Sequence, residues 1–467
     1  MGVAASFFLQ AQNASVVTNS VDVYGNPSLN GSAKFNAMAG STGALGGDGN
    51  ALLNNPAGLG VAINGSLGIT LGVENYKNTS TLGSSAVNYT NTMADISNLQ
   101  GVAAFQLMTE TPWKFVNLGV NYSSRSLDNY VETAGNNNII IPKNLIDTNG
   151  NPVTGDMTYL GQAYNRTGTQ SKMAFGVGAN YNNAFYLGAG INFHATNLEQ
   201  FDTAAFHLNL DNSSTEFTKQ YTPFSEQGSG FSANIGVIGK LGNQFRVGAA
   251  LETPTWWAIE RVYGDHYVDN SGYISYEYMN ESRNFRSPMK ATLSAAVVPT
   301  KNFSANIDYT IGLGKPHYKV EGPAETELND FFSDNSKNMS EVKIGAEYRM
   351  KGLRMRGGFS HATNPFDAMT VTAFSNDGGV ADRSFDNLYM GSRNTFGLGL
   401  GYDFRSLYID ASYQNMNSKY DNAFLRGSET AGTGYYSGDF DVTTPNSVVS
   451  DVKKVQNNFF LTVGWKF

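Results

Sequence analysis

The sequence predicts an all-β chain, a transmembrane antiparallel β-barrel of about 14 strands with an N-terminal hatch plugging its lumen. Three observations predict it. Apolar and polar residues alternate in short runs from about residue 64 to the end, and the connections between those runs are alternately short and long. Ahead of them, Gly31 to Gly60 is rich in Gly, Ala and Asn and has neither helical nor strand periodicity, as a compact plug would.

Composition bounds the reading. The chain has 467 residues, with 51 Gly, 25 Tyr, 29 Phe and no Cys. It contains no run of about 18 apolar residues, which excludes a membrane helix of ordinary length; a barrel strand shows lipid only every second residue and is not excluded. The lack of Cys removes disulfides and thiolate metal sites. A net charge of -8, from 31 Lys+Arg and 39 Asp+Glu with no long basic run, argues against nucleic acid as a partner.

The opening residues, MGVAASFFLQAQ, resemble the end of a secretory signal: a short apolar core, then Ala11-Gln12, with the first basic residue at Lys34. Residues 1–12 are set apart as a signal remnant, 13–62 are assigned to the hatch and 63–467 to the barrel.

The strands follow in order. Leu67, Ile69, Leu71 and Val73 share one face, with Gly68, Thr70, Gly72 and Glu74 on the other. The same period runs through Phe175 to Tyr181 and Phe185 to Phe193, joined at Asn182-Asn183 as a tight hairpin. Further hairpins turn at Gly242-Asn243, Pro299 to Lys301, Lys351-Gly352 and Arg405-Ser406. The candidate strands begin at 64–76 and end at 455–467, and long connections fall at 128–170, 199–226, 255–286, 362–392 and 419–454. Short turns facing the periplasm and long loops facing outward place both barrel ends on the periplasmic side of a Gram-negative outer membrane. In the last strand Phe459, Leu461, Val463, Trp465 and Phe467 share a face. Trp465 and the terminal Phe467 resemble the signal by which the barrel assembly machinery recognises such proteins.

The inward face carries charge of both signs, including Glu74, Arg246, Glu252, Lys290, Asp308, Lys343, Glu347, Arg356 and Asp410. Charges there need water or one another. Inward glycines, Gly176, Gly178, Gly397, Gly399 and Gly401, leave room against the wall for the hatch.

The stretch GSAKFNAMAGSTGALGGDGNALLNNPAGL resembles the hatch of the FadL-type transporters of hydrophobic compounds, down to the triplet Asn55-Pro56-Ala57. The stretches FSANIGVIGKLGNQFRVGAALETP, EVKIGAEYRMKGLRMRGGFSHATNPF and NTFGLGLGYDFRSLYIDASYQNM resemble strands of the same family. The resemblance implies passive uptake of long-chain fatty acids or aromatic hydrocarbons, gated by the hatch, with lateral release into the membrane lipid. Asn55, Pro56 and Ala57 are the gating candidates, beside the reading of an ordinary Asx-Pro turn.

The ligand groove does not carry over residue by residue. Trp256, Trp257 and Tyr263, with Phe217, Tyr221 and Phe224, are candidate ligand or interface aromatics, beside the reading of an interfacial belt. Ile139 to Pro142 is an apolar patch within a long loop. Neither an H-E-x-x-H motif nor a G-x-S-x-G elbow is present, and His194 reads as a solvated lumen residue. No catalytic, metal-ligating or cofactor-binding residue is assigned. The alternative to a transporter is a barrel serving as a carrier or structural subunit, with other outer-membrane proteins, in an export or assembly complex.

Overall fold

In the computed structural model the described residues are 16–25, 29–108, 110–146, 152–210, 213–268, 274–322, 324–424, 435–437, 440–442 and 446–467. The signal-like residues 1–12 lie outside them.

A chain that alternates with period two puts one side of every strand on lipid and the other on the lumen, and a sheet closed on itself leaves no bare edge. One sheet contains eighteen strand segments, four of which continue the preceding segment across a short break, so the strands number fourteen. They are β1 (Ser66–Leu82), β2 (Ser85–Gln106), β3 (Trp113–Ser126, then Asn129–Ile146), β4 (Pro152–Tyr181) and β5 (Phe185–Leu210). Then come β6 (Ser213–Leu241), β7 (Phe245–Glu252, then Trp256–Val268), β8 (Ile274–Arg286, then Met289–Thr300) and β9 (Phe303–Leu313, then His317–Val320). The last are β10 (Ser340–Met350), β11 (Leu353–Ala362), β12 (Arg393–Asp403), β13 (Leu407–Phe424) and β14 (Val448–Lys466). Each pairs antiparallel with its neighbours, and β14 meets β1 from Ser66 opposite Lys466 to Thr81 opposite Asp451, closing the barrel.

The strand number and the register agree with the sequence; the strand lengths do not. β4 and β6 run for 30 and 29 residues, and much of 128–170, 199–226 and 255–286, expected as loops, is strand. Above the lipid band neither face needs to be apolar, so the alternation fades while the backbone ladder continues. Ile139 to Pro142 therefore lies on β3 rather than in a loop, with Ile139 and Ile141 buried in an apolar cluster and Ile140 exposed.

Leu67, Leu71, Leu293, Leu398 and Leu461 are all exposed on the outer face, bounded above by Phe193, Phe231 and Phe359 and below by Phe185, Phe303 and Trp465. Such a band between two aromatic rows marks a lipid-facing barrel wall. β10 to β12 rise less far than the rest. At this end the helix Ala324–Asn335 bonds Tyr318 of β9 through Asn329, and the hairpin Met369–Phe374 with Val380–Phe385 meets Ser447 beside β14. Phe331, Phe332, Phe366, Phe285 and Tyr318 join residues of the first described segment in one buried cluster across the upper end.

Residues 29–62 run through the lumen. A charge on the lipid side of this wall meets hydrocarbon, so Leu398→Arg, at a position 49% exposed, is expected to cost about 2–4 kcal/mol in a refolding titration. Thr395→Ala, on the lumen side of the same strand, is expected to shift it by less than about 0.5 kcal/mol. Equal losses would invert the register.

Candidate functional site

The luminal segment is anchored by the triplet found in the sequence. Asn55 caps the 3-10 helix Pro56–Val61, its side-chain oxygen accepting from Ala57 N at 3.1 Å, and Pro56 occupies the first turn, where a missing N–H costs nothing. Asn55 Nδ2 donates to Gly43 O at 2.9 Å and to Val237 O of β6 at 3.2 Å. The side chain is thus at once an Asx cap and a tether to the wall.

The wall glycines explain the fit. A Cβ on Gly188 would lie 2.3 Å from the Pro56 carbonyl, one on Gly236 2.0 Å from Asn55 Oδ1, and one on Gly178 2.4 Å from Gly60 N. Gly176 receives Leu52, while Gly397 and Gly399 receive Asn36 and Ala37. Gly401 departs from expectation: its space is filled by Asp410, which the wall itself supplies.

Inward polar residues complete the seat. Asp308 accepts from Thr42 N, Gly43 N and Asn54 Nδ2 at 3.0, 3.2 and 2.8 Å, and Asn117 Nδ2 donates to the carbonyls of Leu59 and Ala62. The inward charges mostly pair with each other. Arg356 bridges Glu347 at 2.5 Å and Asp410 at 2.7 Å, and Lys172 meets Glu252 at 3.2 Å. His194 is buried, not solvated: its Nε2 lies 3.0 Å from Ser232 Oγ and its ring packs against Trp257.

The two tryptophans have different roles, because adjacent strand residues point to opposite faces. They begin the second part of β7 rather than following its end. Trp256, 48% exposed, stacks on Phe231 in the outer aromatic row. Trp257 is 2% exposed inside, and its Nε1 donates to Tyr24 O at 3.2 Å. Phe224 is buried in the same upper cluster. The side chains of Tyr263, Phe217 and Tyr221 lie outside the described residues. Trp465 and Phe467 both lie exposed at the turn end, the latter bonded through its backbone to Gly65.

Tyr24 belongs to residues 16–25, which fill the upper lumen. There Arg166 of β4 bonds Asp22 at 2.5 Å, Asn19 at 2.7 Å and the Leu127 carbonyl at 2.9 Å. Burial pushes the Asp22 carboxyl up, but Arg166, Arg125 and Lys454 outweigh it and hold the group well below the usual carboxylate range.

The wall has a seam that the sequence did not reveal. β2 and β3 pair only from Asn98 opposite Ser123 down to Gln106 opposite Phe115. Above that, β2 pairs with β1 alone, and β3 breaks at Leu127-Asp128 and continues paired with β4 alone. The break is held by Gly168: Leu127 N donates to Gly168 O at 2.9 Å, and Gly168 N donates to Asp128 Oδ1 at 3.0 Å. Gly168 adopts φ +148, which a side chain would resist. The upper part of β3 then leans inward over β1 and β14, where Asn78 donates to Asn129 and Thr133 meets Ser80 and Ser450.

The seam begins inside the apolar band, since Ile96, 40% exposed, already lies on the unpaired part of β2. Side chains alone bridge it. Asn30 Nδ2 donates to Glu74 Oε1 of β1 at 2.6 Å and to Ser124 O of β3 at 2.9 Å, and Asn98 Nδ2 of β2 donates to Asn30 O at 3.4 Å. Ser126 Oγ reaches Met93 Sδ at 3.1 Å. Behind the seam a cavity of about 130 Å³ is bounded by Arg125, Arg166, Arg393 and Lys454 against Asp22 and Glu74. A larger one, about 630 Å³, lies at the turn end beneath the luminal segment, against Lys34, Asp48, Arg246 and Tyr408.

No family model and no curated protein matches the sequence. Among solved structures, a Pseudomonas aeruginosa FadL homologue superposes with TM-score 0.54 at 12% identity, over 95% of this chain and 99% of that one. The P. putida toluene transporter TodX gives 0.53 at 13% identity over 96% and 99%, and the Ralstonia pickettii toluene transporter TbuX 0.52 at 13% over 93% and 98%. The chain has the FadL-type barrel fold. At such identities the likeness concerns the fold and leaves the chemistry to this chain's own residues.

Gly188→Ala is expected to destabilise the luminal seat by about 1–3 kcal/mol through overpacking against the Pro56 backbone. Gly239→Ala, whose Cβ would find its nearest neighbour at 3.9 Å, is the control, and hydrogen exchange over residues 44–62 reads the difference. The lowered Asp22 pKa gives a second expectation. A depressed carboxylate stabilises the fold above its unfolded value, about 3.9, and loses that contribution as pH falls through its folded one. Residues 16–25 should therefore become progressively more open to exchange as pH falls from about 4 towards the depressed value, and Asp22→Asn should open them already at pH 7.

Proposed function

We propose that the chain is an outer-membrane channel for hydrophobic molecules, in which the luminal segment is a hatch and cargo leaves sideways between β2 and β3. The observation that carries this reading is the seam. A wall in lipid keeps its backbone paired, and here pairing stops within the apolar band beside a luminal cavity. The likeness in fold to transporters of toluene supports a hydrophobic cargo. The cavity narrows the class, because four cations face two carboxylates there, and Arg166 already occupies Asp22. An apolar tail with an anionic head, such as a fatty acid, suits it better than a neutral hydrocarbon.

Asn30 is the bolt in this reading, since one hatch residue ties β1, β2 and β3 together at the point where the wall opens. Asn55, Pro56 and Ala57 hold the fixed part of the hatch, against β5 and β6. The outer-membrane setting fits the lipid band and the exposed terminal Trp465 and Phe467, which suit recognition by the assembly machinery. The packed upper end is also what a non-transporting subunit would present, and co-purification of stoichiometric envelope proteins would mark that role.

The chain has no native Cys, so Met93→Cys with Ser126→Cys makes a lock across the seam. Uptake of a fluorescent long-chain fatty acid into proteoliposomes is expected to fall at least about tenfold on oxidation, and to recover with reductant, which corresponds to a barrier change of about 1.4 kcal/mol or more. Undiminished uptake by the locked protein would exclude passage through the seam.

A further inference from the structure

The charge at the turn end is unlike that of the rest of the chain. Of the six tight connections there, five carry a cation at or beside the turn: Lys114, Lys240, Lys301, Lys351 and Arg405. The sixth, Asn182-Asn183, is uncharged. Acidic groups are sparse in these turns. Glu110 lies in the first, and Asp403, beside the last, is already held by Arg354 and Lys466. None of the five cations makes an ion pair among the described residues, whereas the buried luminal cations Arg166, Lys172 and Arg356 all do. In a chain of net charge -8 this gathering at one end stands against the overall balance.

Their height relative to the lipid band identifies what they meet. Four of the five are within three residues of an exposed apolar or aromatic residue of the lower row: Lys240 of Leu241, Lys301 of Phe303, Lys351 of Met350 and Arg405 of Phe404. A strand rises about 3.3 Å per residue, so these turns lie at headgroup depth, at the lower margin of the hydrocarbon. Lys240 lies over the ring of luminal Tyr186 at 5.4 Å, on the mouth side of its turn.

We infer that this ring binds the anionic headgroups of phospholipids in the leaflet at the turn end. The cations are spread around the circumference, where one compact acidic protein would have to cover the whole mouth to reach them, while separate lipid heads reach each turn independently. Membrane-proximal cations attract such heads by charge, and the attraction is screened by salt. The inference does not depend on what the lumen carries.

The full chain is purified from mixed micelles holding equal amounts of phosphatidylglycerol and phosphatidylcholine, and retained lipids are counted by native mass spectrometry. Phosphatidylglycerol is expected to be retained about fivefold or more over phosphatidylcholine, with the preference reduced at high salt. Replacing the four cations Lys240, Lys301, Lys351 and Arg405 by Gln should abolish the preference. The charge-conserving set Lys240→Arg, Lys301→Arg and Lys351→Arg should keep it, and heat-modified gel migration shows that each variant is folded. Equal retention of the two lipids by the native chain, or a preference that survives the four Gln substitutions, overturns the inference.

Discussion

Inside a bilayer no water reaches the backbone, so every strand amide and carbonyl needs a neighbouring strand. The pairing of β14 with β1 over sixteen residue pairs meets that demand where the chain's two ends come together. It also fixes everything the wall presents to the lumen, because a slip of one residue would exchange the lipid and lumen faces. Against this closed ladder the β2–β3 seam stands out. Its unpaired edge is compensated by side chains, and chiefly by a residue that the wall does not own, Asn30.

The same scarcity of water shapes the rest of the lumen. A buried charge whose partner is removed is costly, so the inward cations and carboxylates occur in bonded sets. Arg356 joins β11 to Glu347 on β10 and Asp410 on β13, drawing strands on that side into one cross-braced patch. Glycines of β4 to β6 leave space that the hatch fills, as Gly397 and Gly399 do on β12. The wall is thus stiffened both by ion pairs and by the seats of the luminal segment, the Asn55-Pro56-Ala57 seat among them.

Much of this was legible in the sequence, for a stated reason: period-two alternation exists only where lipid and lumen differ. It revealed fourteen strands, the lower turns and the inward charges, and it failed where both faces are polar, so β4 and β6 appeared far too short. The Trp256-Trp257 pair could be read as belt or ligand contact because a dipeptide on a strand is necessarily both outward and inward. The seam left one trace, Asp128 between Ser126 and Asn129 in what proves to be a single broken strand, a residue that strands disfavour. Asn30 left none, since its partners Glu74, Asn98 and Ser124 lie 44, 68 and 94 residues away on three different strands.

On the proposed reading, which part of the luminal segment moves follows from the cost of leaving polar groups unmet. Lifting the whole segment would strip Asp308 of three donors, Asn117 of two carbonyls and Asn121 of its Asn50 acceptor. At about 1–3 kcal/mol for each buried group left unpaired, such a sum exceeds the stability that an ordinary domain has to give. Shifting Asn30 alone breaks three hydrogen bonds, two of which end on Glu74 and Ser124 beside a charged, hydratable cavity. An anionic head arriving among Arg125, Arg393 and Lys454 would compete with Glu74 for the cationic field and so weaken the bolt from within. On the proposed reading the cargo therefore opens its own way out, while the seat around Asn55 stays in place.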